Sequence, residues 1–366
     1  MPFDIRYANL IPREPELRDE LFRVFQQVLD SGQFILGPEV SAFEQWFAEY
    51  CGAKHAVGVA SGTAALELTL EAFGLSDGDE VITAPNSYIA SASAIARVGG
   101  RPVFADVGAD MNLDPAAIEE AITPRTRGVV PVHLTGRPAR MPEIIEIAER
   151  HQMFVLEDAA QAVGAQLEGC RVGSWGRAAA FSLHPLKNLH AFGDAGIVTT
   201  NDSDLAGRLV PARSHGLRDR NTCEFWGGNE RLDALQAAFL RIQAGYLETW
   251  TEERRRLAFR YNAALASSVT VPVEGAGERH VYQTYAIQCD RRDDLQKHLR
   301  ANGVEAIVHY PTPIHRQPAA RSLGYGPDAF PVVSQQANRI LSLPLYPGLV
   351  TSDQDRIIEL ITEFYG

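Results

Sequence analysis

The chain has 366 residues, of which 34 are lysine or arginine and 46 aspartate or glutamate, for a formal charge of −12. That balance excludes a general nucleic-acid binder, because no basic face is available to neutralise phosphates, although local basic residues can still hold one anionic ligand. The length predicts a large domain and a smaller one, and the four scattered cysteines, Cys51, Cys170, Cys223 and Cys289, lack the spacing of a zinc site or a disulfide framework and suit a reduced cytosol.

The opening segment MPFDIRYANL lacks the basic and apolar parts of a signal peptide, and no apolar run approaches the roughly 18 residues of a membrane span, so a cytoplasmic protein without membrane contact is expected. From about residue 56 to about 201, short apolar runs alternate with amphipathic stretches. Strands are predicted at 56–60, 80–83, 102–106, 128–133, 153–157, 178–183 and 196–200. They are nearly continuous apolar runs, as strands buried on both faces should be, so the sheet is expected to be mostly parallel. The stretches 63–73, 115–121 and 142–151 supply right-handed crossover helices, which gathers ligands at the C-terminal ends of the strands. Residues 233–266 read as one long helix. Strands at 269–273 and 282–288 and helices at 292–302 and 352–365 follow. The expected division is a large α/β domain over 1–245, including an N-terminal arm, and a small α+β domain over 246–366.

The segment Ser-Leu-His-Pro-Leu-Lys-Asn, 182–188, puts Lys187 just past a buried strand and shortly before Gly193-Asp194-Ala195-Gly196. A lysine there can form a Schiff base. Upstream, the strand around 154–158 ends in the carboxylate of Asp158, and Ser61-Gly62-Thr63 closes a strand and opens a helix. A ring nitrogen that wants an acid, an aldehyde that wants an amine and a phosphate that wants backbone N–H groups are the three parts of pyridoxal 5'-phosphate, and these signals answer them in turn. No GxGxxG follows a predicted strand and no GxxxxGK occurs, so a nicotinamide dehydrogenase and a P-loop enzyme fall away.

FILGPEV at 34–40, SGTAAL at 61–66, GDEVITAP at 78–85, EDAAQAVGA at 157–165, FSLHPLKNL at 181–189, GDAG at 193–196, HG at 215–216 and NERLDALQAA at 229–238 together resemble the DegT/DnrJ/EryC1/StrS sugar aminotransferases over nearly the whole chain. The resemblance implies a fold-type I pyridoxal phosphate enzyme, with a large mostly parallel seven-stranded sheet domain and a smaller C-terminal domain, acting as a homodimer with shared active sites. It assigns Lys187 to the Schiff base and to proton transfer, and Asp158 to the pyridine nitrogen. Gln161 goes to the phenolic oxygen, Ser182 and the amides of Gly62, Thr63 and Ala64 to the phosphate, and Tyr88 to stacking on the ring. Asn229 would reach the phosphate from the neighbouring subunit, and His309 and Tyr310 would approach the substrate.

Each residue also has a structural reading. Asp158 could cap a helix, as could Asn229. Ser182 could merely end a strand, Tyr88 could pack in the core and Lys187 could be a solvated loop lysine. His309 with His315 suggests a metal pair, but no carboxylate or cysteine stands at ligand spacing, so no metal is expected. The chain departs from the family pattern at His190, where many members carry glycine, and at Ala195 within Gly-Asp-Gly-Gly. Both could reshape the sugar pocket.

The expected reaction moves an amino group from L-glutamate to a nucleotide-linked keto-sugar, at C3 on the overall texture of the motifs and with a UDP-linked 2-acetamido-3-keto-hexose in view. Amination at C4 of a 4-keto-6-deoxy sugar, or of a keto-cyclitol, stays open. So does a pyridoxal phosphate-binding regulator, against which the intact Lys187 and Asp158 count. Relatives that dehydrate carry histidine in place of the lysine, which is not the case here.

Overall fold

The computed structural model describes residues 3–366. Seven strands form the main sheet: β1 (His55–Val59), β2 (Glu80–Thr83), β3 (Arg101–Phe104), β4 (Thr126–Val130), β5 (Phe154–Asp158), β6 (Ala178–Ser182) and β7 (Gly196–Thr200), in the spatial order β1-β7-β6-β5-β4-β2-β3. The strand residues of β2, β5, β6 and β7 are almost all buried, in keeping with their apolar runs.

Two further helices precede the sheet, α1 (Pro15–Ser31) and α2 (Pro38–Cys51), and four are threaded through it, α3 (Gly62–Ala72), α4 (Ala90–Arg97), α5 (Pro115–Ala121) and α6 (Met141–Arg150). Each of these four connects strands that run the same way, because a parallel return needs a crossover. Between β6 and β7 the connection, residues 183–195, contains no helix, and β7 runs antiparallel to both its neighbours, β6 and β1. The other pairings are parallel.

After α7 (Ser203–Ala212), the long helix expected over 233–266 is two helices, α8 (Ala234–Ala244) and α9 (Leu247–Leu265). At the break, the N–H groups of Gly245 and Tyr246 bond to the carbonyls of Ile242 and Gln243, three residues back instead of four. Glycine is a weak helix former. The two helices also have different neighbours, since α8 packs against α1 and α2 while α9 packs against the last helix.

The rest of the chain adds β8 (Tyr285–Gln288), α10 (Arg292–Ala301), α11 (Pro331–Arg339), β9 (Ile340–Leu343) and α12 (Thr351–Tyr365). β8 pairs antiparallel with β9, which the sequence pattern did not reveal. The strand expected at 269–273 shrinks to a bridge between Thr270 and Gln288, since Pro272 has no N–H to extend a ladder. These elements share a core of their own, in which Leu257, Tyr261, Tyr285, Leu295, Leu341, Ile357 and Leu360 are buried together with Ile5 from the N-terminal arm. Among the described residues, no helix is long and apolar enough to cross a membrane.

Candidate active site

The C-terminal ends of β5 and β6 and the N-terminus of α3 open on one cavity of about 720 Å³. Gly62, Thr63, Tyr88, Asp158, Gln161, Ser182, Lys187, His309 and Tyr310 all line it. The sheet brings Asp158 and Ser182 together, because β5 and β6 are adjacent and paired in parallel.

Ser61 caps α3, its Oγ accepting the N–H of Ala64 at 3.0 Å. The amides of Gly62 and Thr63 make no hydrogen bond among the described residues, so two free N–H groups, reinforced by the helix dipole, face the cavity rather than three. Ala64 itself is buried. A Cβ at Gly62 would lie 2.6 Å from Ser182 Cβ, and one at Gly196 would lie 2.3 Å from the Ser61 carbonyl. Glycine at these two points lets the helix N-terminus sit directly against β6 and β7, and that close approach shapes a cradle for a phosphate.

Asp158 is buried, with Oδ2 accepting from Ser91 Oγ at 2.6 Å and Oδ1 from the Ala160 N–H at 3.2 Å. Ser91 Oγ in turn lies 2.8 Å from Ser87 Oγ. The adjacent Glu157 points away from the cavity and is fully buried, accepting from His133 Nε2 and from the N–H groups of Gly173, Trp175 and Gly176 at 2.9 to 3.0 Å. His133 Nδ1 accepts the Ala139 N–H, which leaves the proton on Nε2 for Glu157.

Gln161 Oε1 accepts the N–H of Thr135 at 2.7 Å. Its oxygen is thereby committed, and the Nε2 end remains as the donor, the polarity a phenolic oxygen requires.

Lys187 sits in the β6–β7 connection, whose ends are held by Leu183 N–H to Ala195 O at 2.8 Å and Ala191 N–H to Leu183 O at 2.7 Å. Burial lowers the pKa of its amine below the usual lysine range, and the nearby Asp158 carboxylate opposes this only in part. A neutral amine is the form that acts as nucleophile or base.

Tyr88 is half exposed at the cavity mouth, its ring centroid 5.8 Å from that of Tyr310. His309 bonds Ser342 Oγ through Nδ1 at 3.0 Å, and burial, with the Lys187 charge adding to it, pulls its pKa down to about 4. Burial raises the pKa of Tyr310. His315 does not join them; it is buried elsewhere, against Phe330. Asn229 also stands apart, exposed on the 215–230 loop and bridged to Ser214, outside the cavity of its own chain. Among the described residues no group of three His, Cys, Asp or Glu side chains is placed to hold a metal ion.

Several cavity residues escaped the sequence reading. Ser91 carries no motif and reaches Asp158 from α4. Tyr7 and the arm residues up to Glu14 come from the far N-terminus, and Arg254 comes from α9. His190, noted only as a departure from the pattern, lines the cavity with its Nδ1 3.2 Å from the Lys187 carbonyl, and burial lowers its pKa to about 4.

A carboxylate, an amine, an amide and a helix N-terminus thus line one cavity, the kinds of group that pyridoxal phosphate calls for. Residues 15–362 match the DegT/DnrJ/EryC1/StrS aminotransferase family. A dTDP-3-amino-3,4,6-trideoxy-alpha-D-glucose transaminase of Streptomyces venezuelae is 43% identical over 98% of this chain and 96% of its own length. A UDP-N-acetyl-3-dehydro-alpha-D-glucosamine 3-aminotransferase of Acidithiobacillus ferrooxidans is 41% identical over 94% of each chain. The crystal structure of DesV from S. venezuelae superposes with a TM-score of 0.96 at 41% identity, covering 100% of this chain and 99% of that one. The chain belongs to the DegT/DnrJ/EryC1/StrS aminotransferase family, and its cofactor is pyridoxal 5'-phosphate.

Proposed function

We propose that this enzyme transfers the amino group of L-glutamate to C3 of a nucleotide-linked 3-keto-hexose. The observation that carries the reading is the meeting of Lys187, Asp158, Gln161 and the α3 N-terminus in one cavity. The C3 position is supported by the two relatives above, one named for a 3-amino sugar and the other as the 3-aminotransferase of a 3-dehydro sugar. They differ in nucleotide, so dTDP-linked and UDP-linked acceptors, the latter with a 2-acetamido group, are the classes to test.

The cofactor, when bound, supplies an electron sink that makes the donor's α C–H bond labile. Asp158, held by Ser91 and the Ala160 N–H, keeps a proton on the ring nitrogen. The Gly62 and Thr63 amides with Ser182 hold the phosphate, and Gln161 Nε2 donates to the phenolic oxygen. Tyr88 covers one face of the ring. Lys187 Nζ, its pKa lowered by burial, would pass a proton between the donor's α-carbon and the cofactor and, on the return leg, between the cofactor and the sugar carbon. His309 and Tyr310 approach from the side of the sugar.

The same reading makes the functional unit a homodimer in the cytosol. Its support is the apolar surface left open near Asn229: Trp226 is 98% exposed, and Phe225, Phe34 and Ile35 are exposed close by in the chain or its pairings. In this arrangement the partner's copy of Asn229 completes the phosphate site. We also place the domain boundary near residue 245, on the strength of the helix break there and the separate core beyond it.

The test is the visible spectrum of the purified protein before and after L-glutamate, followed by nucleotide-linked 3-amino and 4-amino sugars in the reverse half-reaction. The expected result is a cofactor band that shifts with glutamate and with 3-amino sugars only. A shift with 4-amino sugars alone would move the reaction to C4, and a band unmoved by every donor would favour a cofactor-binding regulator.

A further inference from the structure

Three arginines are buried among the described residues: Arg213, Arg254 and Arg292. Arg213 is paired with Glu44 and Arg292 with Asp293. Arg254, 9% exposed, has no carboxylate partner among the described residues, and it is the one of the three that lines the cavity. Its Nη1 donates to the carbonyls of Leu345 at 3.0 Å and Tyr282 at 3.5 Å, while Nε has no partner among the described residues. The neighbouring Glu253 spends its carboxylate on the Gly348 N–H at 2.8 Å.

A guanidinium removed from water and left without an acid is costly, and such a group is tolerated where an anion arrives to complete it. The cost registers in the molecule: burial pulls Arg254 down to about 10, and its charge helps keep His190 neutral. Arg13, the other arginine of the cavity lining, is exposed and already bonded to the Gly348 carbonyl.

We propose that Arg254 is the seat for a carboxylate of the amino donor. The inference rests on the reading of L-glutamate as that donor. Position decides between the two anions that the reaction brings in. Arg254 lines the same cavity as Tyr7, His190 and Lys187, and its charge acts on the first two; His190 bonds the backbone of Lys187 itself, while the Tyr7 ring is 5.4 Å from that of His309. A donor carboxylate is one bond from the carbon that reacts and must lie near the lysine. A sugar diphosphate hangs from the anomeric carbon, several bonds from a reacting C3, and extends toward the mouth. The edge of the planar guanidinium that carries the unpartnered Nε–H suits a bidentate carboxylate.

The experiment compares holoenzyme with Arg254→Gln and Arg254→Lys. It reads KM for L-glutamate and for the acceptor sugar, and binding of glutarate and of UDP or dTDP by calorimetry. The expected result is a rise of about 10- to 100-fold in glutamate KM and in glutarate Kd for Arg254→Gln, a smaller rise for Arg254→Lys, and acceptor KM and nucleotide binding within about twofold of wild type. Unchanged glutarate binding overturns the proposal, and so does a loss confined to nucleotide binding, which would give the guanidinium to the diphosphate. Glutarate binding needs no turnover, so an Arg254-dependent carboxylate site in an enzyme inert toward glutamate sustains the seat and refutes glutamate as donor. If neither variant folds, wild-type crystals soaked in glutarate decide: a carboxylate paired with Arg254 supports the proposal, and one seated elsewhere refutes it.

Discussion

Single side chains in the cavity are fixed by local commitments that leave one end of each group free. Gln161 gives its oxygen to Thr135 and keeps its amide hydrogens, and Ser61 takes one amide of the α3 N-terminus and leaves two. Gly62→Ala tests the cradle. Its Cβ would meet Ser182 Cβ at 2.6 Å and Cα at 3.0 Å, so helix and strand must part, at a cost of about 1–3 kcal/mol. Titration with pyridoxal phosphate, followed by absorbance, should show at least a roughly tenfold weaker Kd.

Two histidines of the cavity, His190 and His309, carry a pH signature. His190 and His309 are both held at about 4, whereas in the unfolded chain they titrate near 6.5. Between those values the unfolded chain binds protons that the native state refuses, so stability falls as pH drops from about 6.5 to about 4, by at most about 3 kcal/mol for each histidine. Urea denaturation at pH 7 and pH 5 should show that slope, and His190→Asn with His309→Asn should flatten it. Lys187, Asp158 and Gln161 were legible in the sequence because each stands in a short motif next to a recognisable strand. Ser91 and Arg254 were not, since they meet the site only through folding of distant segments, and a lone serine or arginine on a helix carries no local signal.

At the scale of elements, strand positions in the sheet were legible because double-sided burial leaves unbroken apolar runs. The ends of β2 and β7 agree with expectation to the residue, and the others differ by one to three positions at an end. Two features were hidden. The antiparallel direction of β7 goes with the short, helix-free 183–195 connection, which no apolar pattern announces. The break at Gly245 was masked by good helix formers on both sides, while the tertiary contacts that split α8 from α9 lie far away in sequence. β9 was missed for a similar reason, since its residues 340–343 run on from α11 without a turn signal.

Glu157 ties β5 to the 173–176 loop and to His133, so it is a clasp between elements. Glu157→Gln would turn an amide hydrogen donor toward groups that are themselves donors. The expected loss is about 2–4 kcal/mol of stability in chemical denaturation, with Asp158 displaced enough to weaken cofactor binding as well.

On the scale of the whole molecule, a single sequence reports the order of motifs but not the partner against which they close. The exposed Trp226 and the position of Asn229 outside its own cavity are the two features that the proposed dimer would account for. Complementation tests the shared site directly. Lys187→Ala and Asn229→Ala should each be inactive alone, yet mixing them after mild dissociation should recover activity on the order of a quarter of wild type, because half the dimers would be mixed and each would hold one intact site. No recovery on mixing, with mixed dimers verified by mass, would mean that Asn229 serves its own chain or none.

The loop that bears Lys187 leaves the sheet from β6 and re-enters it at the adjacent β7, so both its ends are anchored in one sheet. The residues opposite it, His309, Tyr310 and the arm around Tyr7, belong to chain segments far before or after that sheet. On the proposed roles of these residues, cofactor chemistry and acceptor choice are separable inheritances: mutation in the opposing segments would recruit new sugars while the reactive amine stays where it was.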